Sequence, residues 1–318
     1  MNNLKKIGLT ALAGSLVATS VAYAGELAVT GSAGMKIENS SNSSAGKTVG
    51  MDNNIYFKGS GETDGGLNIN LSYELDDGSD SGNASAVWDN HSVSVGNDAL
   101  GTLTVHGHGG SNSASALDTT AAGDLWDNGS LVPAANQPDA ARSENGLVVY
   151  SFPAVVDDLS LAVSFDSQGN DNEGSTAIGA SYTGVEGLTL SFGNGNDAST
   201  AGVSIDQTVM KASYAYGSFT VGYSVSEYDH TTGTNDQEVR SYGVSYTLTD
   251  QISLSYGTET FERAGTTADV VVDGVSASYT SGGMTVGLKS IESKNADNTT
   301  DGLHNDNSYW KLSLGFAF

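Results

Sequence analysis

Cysteine is absent from the 318 residues, proline occurs three times, and positive charge is scarce. Without cysteine no disulfide can staple the fold, and no thiolate can act as nucleophile or metal ligand. No run of 18 or more apolar residues occurs after the first 24, so no helix is expected to cross a bilayer. The chain has 12 Lys+Arg against 37 Asp+Glu. Lys5 and Lys6 lie in MNNLKK, followed by the apolar IGLTALAGSLVATSV and the small-residue site Ala22-Tyr23-Ala24. That three-part pattern predicts a secretory signal peptide over 1–24. Its removal leaves ten cations and 37 carboxylates, a charge near −27. Such a surface repels nucleic acid and anionic headgroups and concentrates cations, and a saline habitat would favour the same composition.

What is present is alternation. Hydrophobic residues are only 38% with 41 glycines, thin for a soluble core of this length. The apolar residues nonetheless recur at every second position, the mark of strands with two unlike faces. LNINLSYEL sets Leu67, Ile69, Leu71, Tyr73 and Leu75 against Asn68, Asn70, Ser72 and Glu74; LSLAVSF, FTVGYSV, YGVSYTL and MTVGLKS repeat the pattern. Sixteen strands are predicted in 25–318, at 25–37, 51–60, 66–76, 84–96, 100–108, 145–153, 159–166, 175–183, 187–193, 205–216, 218–228, 238–248, 251–261, 270–280, 283–292 and 308–318. Tight turns such as 249–250 and 281–283 tend to alternate with long polar loops at 38–50, 167–174, 194–204, 229–237, 262–269 and 293–307.

Which face is wet separates two all-β architectures. A secreted sandwich or solenoid turns its apolar face inward. A transmembrane barrel puts it in lipid and fills its interior with water. The soft polar faces of Ser, Thr, Asn and Gly, and strands long enough to cross a tilted bilayer, favour the barrel. Tyrosines near strand ends, Tyr56, Tyr73, Tyr150, Tyr182, Tyr279 and Tyr309, suit an interfacial girdle. The expected fold is therefore a 16-stranded antiparallel transmembrane β-barrel. The terminal SYWKLSLGFAF is its last strand, with Trp310, Leu312, Leu314, Phe316 and Phe318 toward lipid and Lys311 toward water.

One connection stands apart. About 35 residues, roughly 109–142, separate LGTLTVHGH from the strand near Asn145, and a loop of this length in a compact fold is usually functional. It holds Asp118, Asp124, Asp127 and Asp139 beside the apolar anchors Leu117, Leu125, Trp126 and Leu131. Folded inward, it would pack those anchors on the wall and leave its carboxylates around the aperture. Alternation turns Lys36, Lys58, Lys211, Lys289 and Lys311 to the polar face, since a lysine at mid-bilayer on the lipid face costs roughly 2–4 kcal/mol. Arg142 ends the insertion. Carboxylates facing cations would impose a transverse field on a wet constriction. Lys47, Arg240, Arg263 and Lys294, in or beside loops, read as solvated.

His106 and His108 form a His-x-His on one strand face, a metal-binding spacing that lacks a third ligand. Polar pore lining is the simpler reading, and no metal is expected. The acidic runs 76–80, 166–173 and 194–197 suggest Ca²⁺, but lack the even ligand spacing of known calcium loops and read first as solvated acid. No cofactor is otherwise implied. Hydrolase, zincin and P-loop motifs are absent, so the chain does not read as an enzyme.

In order along the chain, the leader, LGTLTVHGHGG entering a long insertion, NGLVVYSFP, DDLSLAVSF and the terminal LSLGFAF resemble the general porins of the Gram-negative outer membrane, particularly the alphaproteobacterial kind. The resemblance implies a homotrimer embedded in outer-membrane lipid and lipopolysaccharide, passing small hydrophilic solutes and ions by diffusion. It implies that the third outer loop folds inward, with Asp118, Asp124, Asp127 and Asp139 as its acidic side and Lys36, Lys58, Arg142 and Lys211 as the basic wall. It also implies that the terminal aromatic segment, Trp310, Phe316 and Phe318, is read by the barrel assembly machinery. This chain departs from the family in having one arginine near the constriction where several are common. A net charge near −27 predicts cation preference. A solute-selective channel is the alternative within transport, and a secreted acidic surface-layer or adhesin protein the alternative outside it.

Overall fold

The computed structural model describes residues 25–42, 46–76, 88–139, 143–166, 174–200, 203–231, 233–299 and 306–318. The predicted leader 1–24, Arg142, and most of the acidic runs at 76–80 and 166–173 lie outside these residues.

The alternating segments form strands β1 (Leu27–Ser40), β2 (Thr48–Glu62), β3 (Asn68–Asp76), β4 (His91–Asn97), β5 (Gly101–His108), β6 (Gly110–Ser111), β7 (Ser143–Glu144), β8 (Leu147–Ser151) and β9 (Leu159–Asp166). They continue as β10 (Ser175–Val185), β11 (Leu188–Thr200), β12 (Val203–Tyr216), β13 (Phe219–His230), β14 (Gln237–Thr249), β15 (Ile252–Arg263), β16 (Val270–Ser281), β17 (Met284–Lys294) and β18 (Asn307–Ala317). Among the described residues, sixteen of them close into one antiparallel barrel in chain order, and β6 and β7 pair with each other at the base of the insertion.

Closure removes the two edges that an open sheet would leave unpaired. The seam joins β1 to β18 from Ser32↔Ala317 to Ser40↔Tyr309. Phe318 extends it, its N–H donating to the Gly31 carbonyl (3.0 Å) and its carbonyl accepting from the Gly31 N–H (2.9 Å). The start of β1 and the end of β18 lie at the end of the barrel that carries the tight turns, and the long connections gather at the other end.

The faces are inverted relative to a soluble barrel. Val49 (81% exposed), Phe165 (49%) and Leu312 (43%) point outward, whereas Ser164, Gln207, Ser224, Ser241 and Glu259 are buried inside. Tyr73, Tyr182 and Tyr279 lie exposed on the outer surface as expected of a girdle. Tyr309 does not: it is buried in the interior and its hydroxyl donates to Glu38 (2.7 Å). Tyr56 also lies on the lumenal face, under the Lys58 ammonium (5.3 Å from the ring centre).

Strands run further into the loop end than alternation indicates. β11 and β12 reach Thr200 and Val203, so most of the long polar loop expected at 194–204 is strand, and the run NGND at 194–197 lies within β11. Beyond the apolar belt both faces meet water. The period-two signal fades there while the backbone ladder continues.

Candidate functional site

The insertion lies along the inner wall, because successive strands each offer it a partner. Ser164 of β9 accepts from the Ser113 N–H (2.8 Å), and Gln207 of β12 accepts from the Ser115 hydroxyl (2.8 Å). Asp118 accepts from Gln207 (2.9 Å), Ser226 (2.6 Å) and Tyr228. Ser224 and Ser241 accept from the N–H groups of Ala121 (3.0 Å) and Ala122 (2.9 Å). Glu259 of β15 takes the Thr120 hydroxyl and the Trp126 N–H (3.2 Å). Further on, the Leu131 carbonyl accepts from Asn307 of β18 (2.8 Å). The insertion thus covers the wall from β9 round to β18, its Ser130 carbonyl also accepts from Asn42 just beyond β1 (2.8 Å), and among the described residues no side chain of β1–β4 bonds it.

Apolar packing reinforces these bonds. Leu125, Leu131 and Val132 of the insertion bury against Tyr228, Val239, Phe261, Val270, Val272, Ile291 and Tyr309 of the wall, a small core inside the barrel. Trp126 meets Phe261 edge-on at 6.2 Å between ring centres. The anchors Leu125, Trp126 and Leu131 therefore pack as their sequence context predicts. Gly129 turns the chain with φ +60°, and a Cβ there would sit 2.1 Å from the Tyr309 ring, so only glycine fits.

The four insertion carboxylates Asp118, Asp124, Asp127 and Asp139 line one cavity of about 310 Å³, together with Thr119, Trp126 and Tyr228. No lysine or arginine is among its described lining residues. Burial pushes the Asp118 carboxyl above its usual range, outweighing the donors on it. Asp127 is also raised, by burial and by Asp124, with Lys289 opposing. At the far end Asp139 meets the His230 imidazole (2.6 Å) and its N–H donates to Gln237 (2.9 Å).

The lysines face the lumen, but not as an unengaged wall. Lys211 donates to the Thr119 carbonyl (2.6 Å) and Lys289 to Asn128 (2.9 Å), so both hold the insertion. Lys36 pairs with Asp52 (2.9 Å) and Glu38 (3.6 Å), and Lys311 approaches Asp52 (3.7 Å). Two cations read as solvated have protein partners. Arg263 donates to the Gln137 carbonyl of the insertion (3.2 Å), and Arg240 sits within β14, paired with Glu238 and Glu262. His106 and His108 do not converge on one point. His106 packs near Gly110 and Leu147, whereas His108 stacks on His91 (6.5 Å) and lies 3.8 Å from Asp89. Among the described residues no three of His, Cys, Asp and Glu are placed to share a metal ion.

Sequence reasoning missed Glu259, Gln207, Ser224 and Ser241, ordinary members of polar strand faces. It also missed a row of glycines. Gly222, Gly243, Gly257 and Gly274 are cross-strand neighbours on β13–β16, directly under residues 121–125. The signal was available: VGYS, YGVS, YGTE and DGVS place one glycine at a matching level of four successive strands.

A model of the Gram-negative porin family matches residues 8–272. No curated protein sequence matches the chain. Among solved structures, an anion-selective porin from Comamonas acidovorans superposes with a TM-score of 0.74 at 14% identity, covering 92% of this chain and 100% of that one. OmpT of Vibrio cholerae, as a loop L8 deletion mutant, gives 0.70 at 16% identity, over 93% and 100%. A mutant of the Rh. blastica porin gives 0.66 at 15%, over 92% and 100%. At these identities the similarity is one of fold.

Proposed function

The chain belongs to the Gram-negative porin family, a family of channels rather than enzymes, and from this we infer that it forms a water-filled outer-membrane channel that prefers cations. Small hydrophilic solutes and ions pass by diffusion, and residues 109–142 act as the constriction. One observation carries the preference: Asp118, Asp124, Asp127 and Asp139 share a single cavity along the insertion with no lysine or arginine among its described lining residues, while Lys211 and Lys289 each bond the insertion itself and Lys36 pairs with Asp52. A passing cation meets carboxylates in a narrow wet space, and an anion meets the same field with opposite sign. This arrangement differs from a field between a free basic wall and an acidic loop. Lys211 and Lys289 act here as tethers.

Reversal potentials in a planar bilayer under a KCl gradient test the preference. The expected sign is that of a cation-selective pore, and anion selectivity would overturn the reading.

The assembly reading is a homotrimer exported by residues 1–24, surrounded by lipopolysaccharide and inserted through recognition of Trp310, Phe316 and Phe318. A solved trimer form of Vibrio cholerae OmpT, 13% identical, supports the trimer. The native mass of the detergent-extracted protein checks it.

A further inference from the structure

The insertion rests on a trough of glycines, closest at Gly243 and Gly257. A Cβ at Gly243 would lie 2.1 Å from the Ala121 carbonyl oxygen, and one at Gly257 would lie 2.4 Å from the Ala122 Cβ. At Gly274 it would meet Leu125 at 2.8 Å, and at Gly222 the Ala121 Cβ at 3.1 Å. These glycines face each other in register, Gly222↔Gly243, Gly243↔Gly257 and Gly257↔Gly274. Polar groups two residues along the same strands secure what the trough receives: Ser224 and Ser241 hold the Ala121 and Ala122 N–H groups, and Glu259 holds Thr120 and Trp126. Glu259 is completely buried, a place a carboxylate occupies only when its hydrogen bonds are supplied.

We propose that Gly222, Gly243, Gly257 and Gly274, with Glu259, are positioning residues of the pore: they set how far the insertion stands from the wall, and so set the aperture. The inference rests on the reading of 109–142 as the constriction. It adds a sign to it. The insertion lies between wall and lumen, so any atom added in the trough moves it toward the lumen. Restoring an ordinary 3.4 Å contact at Gly243 requires the Ala121 carbonyl to withdraw by about 1.3 Å. Filling the trough therefore narrows the channel.

The test is single-channel conductance of Gly257→Ala, Gly243→Ala and the milder Gly222→Ala, each confirmed as a folded barrel by heat-modifiable gel migration. Conductance falls in all three, least for Gly222→Ala. Gly34→Ala on β1, whose added Cβ would meet only ordinary contacts from 3.5 Å outward, leaves it unchanged. The double variant Gly257→Ala/Ala122→Gly removes the methyl at 2.4 Å, leaves the backbone Cα of residue 122 at 3.1 Å, and restores most of the lost conductance. Unchanged conductance in the trough variants, a rise, or failure of the double variant to restore it would overturn the proposal. If Gly243→Ala does not fold, Gly222→Ala and the double variant still decide. Shortening 112–139 separates the two levels. If that leaves conductance unaltered, the constriction reading itself fails; if it raises conductance while the glycine variants do nothing, only the trough proposal fails.

Discussion

Asp127→Asn isolates the electrostatic part of the account. Asp127 lines the cavity, and its carboxylate holds no hydrogen bond among the described residues, whereas those of Asp118, Asp124 and Asp139 do. The isosteric change removes charge and leaves the fastening of the insertion intact. A sphere of 310 Å³ has a radius of about 4 Å, so a wall carboxylate acts on a centred ion across about 4 Å. In water that interaction is about 1 kcal/mol. At 0.1 M salt the Debye length of about 10 Å leaves roughly 0.7 kcal/mol. Neutralisation costs the cation that attraction and relieves the anion of an equal repulsion, about 1.4 kcal/mol together, or roughly tenfold in the cation-to-anion permeability ratio. At 1 M salt, with a Debye length of about 3 Å, the change shrinks to roughly two- to threefold. Reversal potentials at both salt concentrations measure it. A ratio that moves less than twofold at 0.1 M, or a shift that does not shrink with salt, would refute the reasoning.

Leu131→Ala leaves a hole in the core between insertion and wall; at about 2–5 kcal/mol it should loosen the insertion without opening the sheet, seen as faster proteolysis near 131 with heat-modifiable migration unchanged. Burial raises the folded-state pKa of Asp118, so its contribution to docking of the insertion is greatest below the ordinary carboxylate value of 3.8 and is lost as pH rises through the raised value; protease resistance of 112–139 should increase on mild acidification, and increase less in Asp118→Asn. Deleting Phe318 removes two backbone bonds of the closing seam, each worth about 0.5–1.5 kcal/mol, and should lower the amount of assembled barrel in the membrane more than the conductance of the barrels that form.

The barrel was readable because lipid on one side and water on the other force a period of two on each crossing segment. Where that contrast ends, so does the signal. NGNDAST at 194–200 has no apolar member at alternate positions, yet its backbone continues the ladder of β11. The inner core defeated the same logic from the other side. Val239, Phe261, Ile291 and Tyr309 lie on the lumenal face, where water would call for polar residues, because Leu125, Leu131 and Val132 cover them. Tyr309 consequently read as a girdle residue although it packs against the insertion. The insertion's length and anchors were visible in sequence, and its seat was not. Glycine in a strand ordinarily signals only weak propensity, and recognising the trough requires knowing that Gly243 and Gly257 stand opposite each other beneath Ala121 and Ala122. The lysines were placed on the correct face, but their partners, a carbonyl for Lys211 and an amide for Lys289, follow from the insertion's path.

Single-channel conductance of the detergent-purified full chain, compared with a variant lacking 112–139, tests the central claim most directly. A water-filled barrel narrowed by its insertion gives discrete conductance steps in the full chain and larger ones in the variant. Absence of steps from the folded full chain, or steps of equal size in both, would contradict it.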